Sequence, residues 1–295
     1  MTETLNRRLR ERLTRGAGVL LPGAANALAA RVIAASGFEA LYITGAGIAN
    51  TALGVPDLGL VTLTELVDHV AAISDAVALP LIADADTGFG NALNLRRAVR
   101  LLERAGANAI QIEDQVFPKR CGHFEGKAVI AAAAMVQKIK AAVDARQDAD
   151  LLIIARTDAR AVEGLDAAID RAAAYREAGA DILFVEAPQS VAELEAIPAR
   201  LPGPHLANIV FGGKTPGLPR ERLAAMGFSG IVYANAALQA AVAAMSRVLR
   251  HLAATGALAG VEDALASFAE RQSLVDYDGF AALDRRYAEP SPERQ

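Results

Sequence analysis

Glu-Ala-Gly-Ala-Asp-Ile-Leu-Phe-Val, residues 177–185, reads as the end of a helix running into a buried strand. Its glycine, Gly179, suits the left-handed position just past a helix terminus. The same layout recurs as Ala-Ser-Gly-Phe-Glu-Ala-Leu-Tyr-Ile (35–43), Arg-Ala-Gly-Ala-Asn-Ala-Ile-Gln-Ile (104–112) and Ala-Met-Gly-Phe-Ser-Gly-Ile-Val-Tyr (225–233). Working outward, the strands are expected at 19–21, 40–44, 79–84, 109–113, 151–156, 181–186, 205–208 and 230–234. They are continuous apolar runs rather than alternating ones, as parallel strands buried on both faces require. Helical patterns separate them at 63–76, 92–105, 132–145 and 165–178. Repeated βα units without a G-x-G-x-x-G favour a closed (β/α)8 barrel of the TIM type over a doubly wound sheet.

Composition is consistent with this. The chain has 295 residues and a 53% hydrophobic fraction, enough for one large core and too much for disorder. One domain, 1–295, is expected, with the barrel at about 17–255 and a helical C-terminal extension at about 256–290 that could pack on a neighbouring subunit. The formal net charge is −4 with no basic stripe, which argues against nucleic acid. No apolar run approaches the roughly 18 residues of a membrane helix, and no signal-peptide core follows the charged N-terminus. A single cysteine, Cys121, excludes an internal disulfide framework, and a cytoplasmic enzyme is expected.

In a barrel of this kind the active site forms at the C-terminal strand ends. The second run ends in Thr44-Gly45-Ala46-Gly47 and the third in Asp84-Ala85-Asp86-Thr87-Gly88. The fourth ends in Glu113-Asp114-Gln115, the fifth in Arg156-Thr157-Asp158, the sixth in Glu186 and the seventh in Asn208. One acid at a strand end usually caps a helix or solvates a loop. A series of polar, mostly acidic ends converging on one mouth points to a site. Oxygen donors suit Mg2+ or Mn2+, and no His/Cys cluster suggests zinc. Asp84 and Asp86 would face one side of a regular strand and so share one metal or its waters. The alternative is that Asp86 merely opens the Thr-Gly turn.

The long loop 116–127 carries Lys119-Arg120-Cys121-Gly122-His123. A thiol among cations is favoured as thiolate. The loop could close as a lid with Gly122 as its flexible point; otherwise Cys121 is an incidental surface thiol. Gly212-Gly213-Lys214-Thr215 after the seventh strand suggests either a phosphate site or a plain turn. His69, His205 and His251 stand alone and read as core or helix-surface residues.

These residues together resemble the isocitrate lyase/phosphoenolpyruvate mutase superfamily. The matching elements run in order: Leu-Gly-Val-Pro-Asp (53–57), Asp-Ala-Asp-Thr-Gly-Phe-Gly-Asn (84–91), Ile-Glu-Asp-Gln (112–115), Lys-Arg-Cys-Gly-His (119–123), Ala-Arg-Thr-Asp-Ala (155–159), and Asn208 with Gly-Gly-Lys-Thr-Pro (212–216). The Cys-Gly-His element resembles the lyase branch, whose members near this length include methylisocitrate and 2,3-dimethylmalate lyases. The resemblance implies Mg2+ held mainly by Asp86, with Asp57, Asp84 and Glu113 acting directly or through water. It implies a substrate carboxylate cradled by Thr44, Gly45 and Ala46, with Lys119, Arg120, Gly122, Asn208 and Phe211 also on the substrate. Arg156 would neutralise growing negative charge, and Cys121 would be the acid/base, supported by His123 and Glu186. A homotetramer with C-terminal helices swapped between paired subunits is also implied.

The expected reaction is Mg2+-dependent carbon–carbon cleavage of a 2-hydroxy di- or tricarboxylate to a keto acid and a carboxylate. Alternatives on the same scaffold are an oxaloacetate hydrolase or decarboxylase and a carboxyphosphonoenolpyruvate phosphonomutase. Outside catalysis, the alternative is a silent barrel serving binding or assembly, which would need neither the acidic set nor Cys-Gly-His. A redox role for Cys121 lacks a resolving cysteine. Phe211 stands where lyases of this group commonly carry Glu, and Ala46 where glycine is common. An aromatic ring facing substrate would favour an alkyl substituent, a difference of roughly 1–3 kcal/mol.

Overall fold

The computed structural model describes residues 4–122 and 124–288. Eight parallel strands close into a barrel in sequence order, so the (β/α)8 reading holds. They are β1 (Val19–Ala24), β2 (Leu41–Ile43), β3 (Leu81–Asp84), β4 (Ala109–Glu113), β5 (Leu152–Thr157), β6 (Ile182–Val185), β7 (His205–Asn208) and β8 (Phe228–Tyr233). The glycines that punctuate the repeat, Gly37, Gly106, Gly179 and Gly227, all have positive φ. That is where a helix end would force a strained backbone on any residue with a Cβ.

Two hydrophobic layers hold the barrel. Strand residues such as Leu41, Ile43, Leu81, Ile110 and Ile153 face outward and pack with buried helix residues including Leu66, Val70, Leu95, Val99, Met135 and Ile139. Leu21, Tyr42, Ile82, Leu152, Ile154, Ile182, Phe184 and Val232 fill a second cluster together with Leu9 and Leu13. Those two leucines belong to the helix Leu5–Thr14, which the sequence reading did not place. Its polar residues bond to groups just before the strands: Arg8 to the Ala78 carbonyl, Arg10 to Asp181 and Arg12 to Glu39. The helix therefore plugs the N-terminal end of the barrel and leaves the C-terminal end for chemistry. Its spacing of Leu9 and Leu13 is the signal, hidden among the arginines around it.

Two compact units divide at 239/240, inside the helix Ala236–Thr255. The second unit contains the helices Phe268–Leu274 and Tyr277–Tyr287. Arg247 pairs there with Asp263, while Phe268, Tyr277, Phe280, Leu283 and Tyr287 are exposed. No helix among the described residues is long and apolar enough to cross a membrane.

Candidate active site

Ladder register builds the first contact. Glu113 on β4 lies opposite Arg156 on β5, and the guanidinium Nε stands 3.3 Å from Glu113 Oε2. Arg156 also grips Asp158 with two hydrogen bonds and reaches Glu186 Oε2 at 3.6 Å. Its charge lies over the Phe184 ring, 5.4 Å from the centroid. Asp158 is fixed in turn by Asp114, which directly follows β4. The Asp114 carboxylate accepts from the Asp158 N–H at 2.9 Å, the Thr157 hydroxyl at 2.7 Å and the Tyr175 hydroxyl at 2.7 Å.

Asp84 and Asp86 do meet, but not through strand alternation. β3 ends at Asp84, and Asp86 sits in the left-handed region with φ 48°. Its N–H donates to Asp84 Oδ1 at 3.2 Å. A residue with a Cβ held there stores backbone strain, which clusters at functional sites. Asp84 Oδ1 also accepts from the Gln111 amide, whose own oxygen accepts from Tyr42 Oη. That relay pins Asp84. A Cβ at Gly45 would stand 3.2 Å from Asp86 Oδ1 and 3.7 Å from Asp84 Oδ2, so glycine leaves space for a ligand beside both acids.

The loop 116–127 lies across this mouth. Lys119 is buried, with Nζ 2.5 Å from Asp57 Oδ1 and 2.9 Å from Asp86 Oδ1. The Cys121 N–H donates to the Asp57 carbonyl at 3.2 Å. Gly122 does not have positive φ; what its place requires is small size. A Cβ there would come within 2.5 Å of Arg156 Nη2 and 2.6 Å of Glu186 Oε1. Asn208 completes this side, its amide 3.5 Å from Glu186 Oε1.

One cavity of about 30 Å3 gathers these groups, lined by Thr44, Ala46, Asp57, Asp84, Lys119, Cys121, Gly122, Arg156, Glu186 and Asn208. Val210, Val232 and Ala234 form an apolar part of its wall. A second hollow, lined by Arg8, Arg12, Glu39, Leu79 and Pro80, lies at the opposite end of the barrel, and another follows the arginines of the helix Ala92–Arg104.

Five expected residues do not line the cavity. Gly45, Asp86 and Glu113 are buried beside residues that do; the other two are on the surface. Phe211 is 88% exposed and Arg120 is exposed. β7 ends at Asn208, so alternation cannot be carried on to Phe211. Arg120 is turned outward by its own backbone, whose N–H and carbonyl are both held by the Gln115 amide. His123 lies outside the described residues. The Gly-Gly-Lys element is a turn whose Lys214 pairs with Glu125 of the loop. His205 is a core residue against the Phe228 ring. Tyr42, Phe184, Lys127 and Asp158 are site residues the sequence reading did not single out. The first two look like ordinary apolar-run members; Asp158 had a signal in its Arg-Thr-Asp setting.

The carboxylates of Asp57, Asp84, Asp86, Glu113, Asp158 and Glu186 outnumber the cations Lys119, Lys127 and Arg156. Burial pushes the Asp86 carboxyl up to about 7, against the pull of Lys119. Burial likewise pushes Glu113 well up despite Arg156. Burial would raise Asp158 too, but Arg156 and Lys127 outweigh it and hold the group at about 2. Lys119 and Arg156 thus only partly offset the cost of burying Asp86 and Glu113. Glu113 Oε1 is buried and accepts no hydrogen bond among the described residues. All donors are oxygen. Among the described residues no three acids already converge as a ligand shell. This fits a small hard cation, which keeps much of its water and takes only one or two carboxylates directly.

A parallel barrel with an acidic mouth, a buried arginine and a thiol on a covering loop defines an enzyme. The family model of phosphoenolpyruvate phosphomutase matches residues 9–253, and the chain belongs to this phosphoenolpyruvate mutase/isocitrate lyase superfamily. It is 45% identical to 2,3-dimethylmalate lyase of Eubacterium barkeri, covering 95% of this chain and 97% of that one. It is 44% identical to 2-methylisocitrate lyase of Aeropyrum pernix, covering 97% and 92%. Among solved structures, a 2,3-dimethylmalate lyase superposes with a TM-score of 0.92 at 34% identity, covering 100% and 99%. A phosphonopyruvate hydrolase in complex with oxalate and Mg2+ superposes with a TM-score of 0.88 at 32% identity, covering 97% and 100%. With these lyases as relatives along almost its whole length, the chain is a lyase of the superfamily.

Proposed function

We propose that the enzyme cleaves the carbon–carbon bond of a 2-hydroxy dicarboxylate of the 2,3-dimethylmalate type, giving pyruvate and propionate. The larger 2-methylisocitrate is the competing substrate. The observation that carries this reading is the shared cavity wall: the Cys121 thiol and buried Arg156 line the same cavity as Val210, Val232 and Ala234. Apolar wall residues suit methyl substituents better than a third carboxylate.

Asp86, with Asp57, Asp84 and Glu113 directly or through water, would hold Mg2+. Once bound, the ion would polarise the substrate hydroxyl and the neighbouring carboxylate. The residues do the rest. Thr44 opens a short helical turn, and the backbone N–H groups of Gly45 and Ala46 lie at its start. They would orient one carboxylate. A base removes the hydroxyl proton, the C–C bond breaks, and its electrons pass to the departing half as an aci-carboxylate. Arg156 stabilises the charge as it grows, since its position is already fixed by Asp158 and Glu113. The Cys121 thiol delivers a proton to the carbanion carbon. Gly122 brings the loop close to Arg156 and Glu186 and keeps water from that carbon.

We also propose a homotetramer in the cytoplasm. The exposed aromatic side chains of the second unit support self-association, and the single cysteine suits a reducing compartment. Sedimentation of the full chain and of a deletion beyond Val261 tests this: loss of the tetramer on deletion is expected, and an intact soluble tetramer would remove the idea.

Pyruvate release from 2,3-dimethylmalate and 2-methylisocitrate, followed by coupled reduction to lactate, tests the activity. Pyruvate from the first acid with the higher kcat/KM is expected. Pyruvate from neither, with oxaloacetate consumed instead, would replace the reading.

A further inference from the structure

Lys127 ends the loop that carries Cys121, and none of the chemistry above uses it. Its side chain is only 2% exposed, and Asp158 is fully buried. The ammonium donates to the Gly122 carbonyl and, at 2.9 Å, to Asp158 Oδ1. Asp158 is the carboxylate that grips Arg156. One cation therefore ties both ends of the segment 122–127 to each other and to the end of β5.

We propose that Lys127 is a positioning residue that latches the loop, and with it the Cys121 thiol, onto the Arg156–Asp158 pair. The proposal rests on the lyase reading only for its consequence in turnover. A lysine buried in this way is costly unless its charge is met and its N–H groups are satisfied. Here the partner is an acid that the barrel fixes independently, through Asp114 and the Asp158 backbone N–H. The latch is thus preformed on the barrel side. The contact also has an electrostatic effect. With Lys127 in place, Asp158 is shared between two cations, and Arg156 keeps more of its charge for the substrate. With the loop away, Asp158 would face Arg156 alone. Loop closure and the strength of Arg156 are thereby coupled. A second tie, Lys214 to Glu125, lies on the surface and is worth little by comparison.

Because Cys121 is the only cysteine, its alkylation reports the loop alone. The test compares full-length wild type with Lys127→Met and Lys127→Arg, each checked by circular dichroism. The readout is the pH-independent rate constant of iodoacetamide with the Cys121 thiolate, which removes any change in thiol pKa. The expected result is a rise of at least about tenfold in Lys127→Met, with Lys127→Arg within about threefold of wild type, because the local opening equilibrium shifts only in the former. In turnover, Lys127→Met should lose kcat with KM little changed. Should the methionine variant not fold, Lys127→Gln, which keeps a donor without the charge, is held to the same expectation. A folded variant without the charge that alkylates at the wild-type rate would overturn the proposal, even if its melting temperature fell. Faster alkylation in an enzyme inactive on both acids would keep the latch and discard the lyase substrate.

Discussion

Arg156 holds Asp158 through two parallel hydrogen bonds, Nε to Oδ2 at 2.9 Å and Nη2 to Oδ1 at 3.0 Å. Lysine cannot reproduce this fork. Asp158→Asn should destabilise the fold by roughly 3–5 kcal/mol, as it removes one charge of a buried pair; Arg156→Lys keeps the charge, loses the fork and should cost less, on the order of 1–3 kcal/mol. Each should also lower kcat/KM by about a hundredfold or more, the scale of losing one preorganised charge stabiliser. Urea unfolding and steady-state kinetics measure the two effects. Wild-type kinetics in either variant would remove Arg156 from the account.

Gly122 separates structure from chemistry. A methyl group there would press on Arg156 Nη2 and Glu186 Oε1. Gly122→Ala should lower kcat by at least about tenfold, since a misplacement near 1 Å is enough to do so. Its melting temperature should stay near wild type, because the residue belongs to the loop and not to the barrel core. Undiminished turnover would show that the loop takes another position during catalysis.

His205 makes stability depend on pH. Burial lowers its pKa from 6.5 to about 4. Between those values the unfolded chain binds a proton that the folded chain refuses. Stability is therefore lost as pH falls from 6.5 toward 4, by up to about 3 kcal/mol for this group. His205→Gln cannot titrate. The difference between wild type and variant in urea unfolding should change by that amount from pH 7.5 to pH 4, in the variant's favour at low pH. A constant difference would show that His205 takes its proton in the folded state.

Asp86 should dominate metal affinity. Isothermal titration with Mg2+ should show at least about tenfold weaker binding to Asp86→Asn than to wild type, given how few carboxylates such an ion takes directly. Arg156→Lys, by comparison, should bind the ion nearly as wild type does. Equal affinity of Asp86→Asn and wild type would place the ion elsewhere.

Much of the fold was legible because buried parallel strands are unbroken apolar runs and each repeat is marked by a positive-φ glycine. The charged groups at the strand ends were legible for the same reason: Asp84, Glu113 and Arg156 are the last or nearly last residues of runs that locate themselves. What lay beyond a strand end was harder. Asp86 reaches its place by a left-handed turn and not by alternation, and Phe211 points outward once β7 has stopped at Asn208. Tyr42 and Gln111 sit inside apolar runs, where nothing local says that they hold Asp84. The partnership of Lys127 with Asp158 spans 31 residues and depends on the loop's path. The same holds for the N-terminal plug, whose two leucines find their cluster only when the barrel is closed.

The central claim is that Cys121 delivers a proton to the carbanion formed when the C–C bond breaks. Proton and deuterium NMR of the reaction in D2O, with Mg2+ and 2,3-dimethylmalate, tests it most directly. The account predicts pyruvate together with propionate carrying a single deuterium at its α carbon, and a loss of at least about a hundredfold in rate for Cys121→Ser, the lower end of what a positioned acid contributes. Equal rates for wild type and Cys121→Ser, or no cleavage of the acid by the folded enzyme, would contradict it.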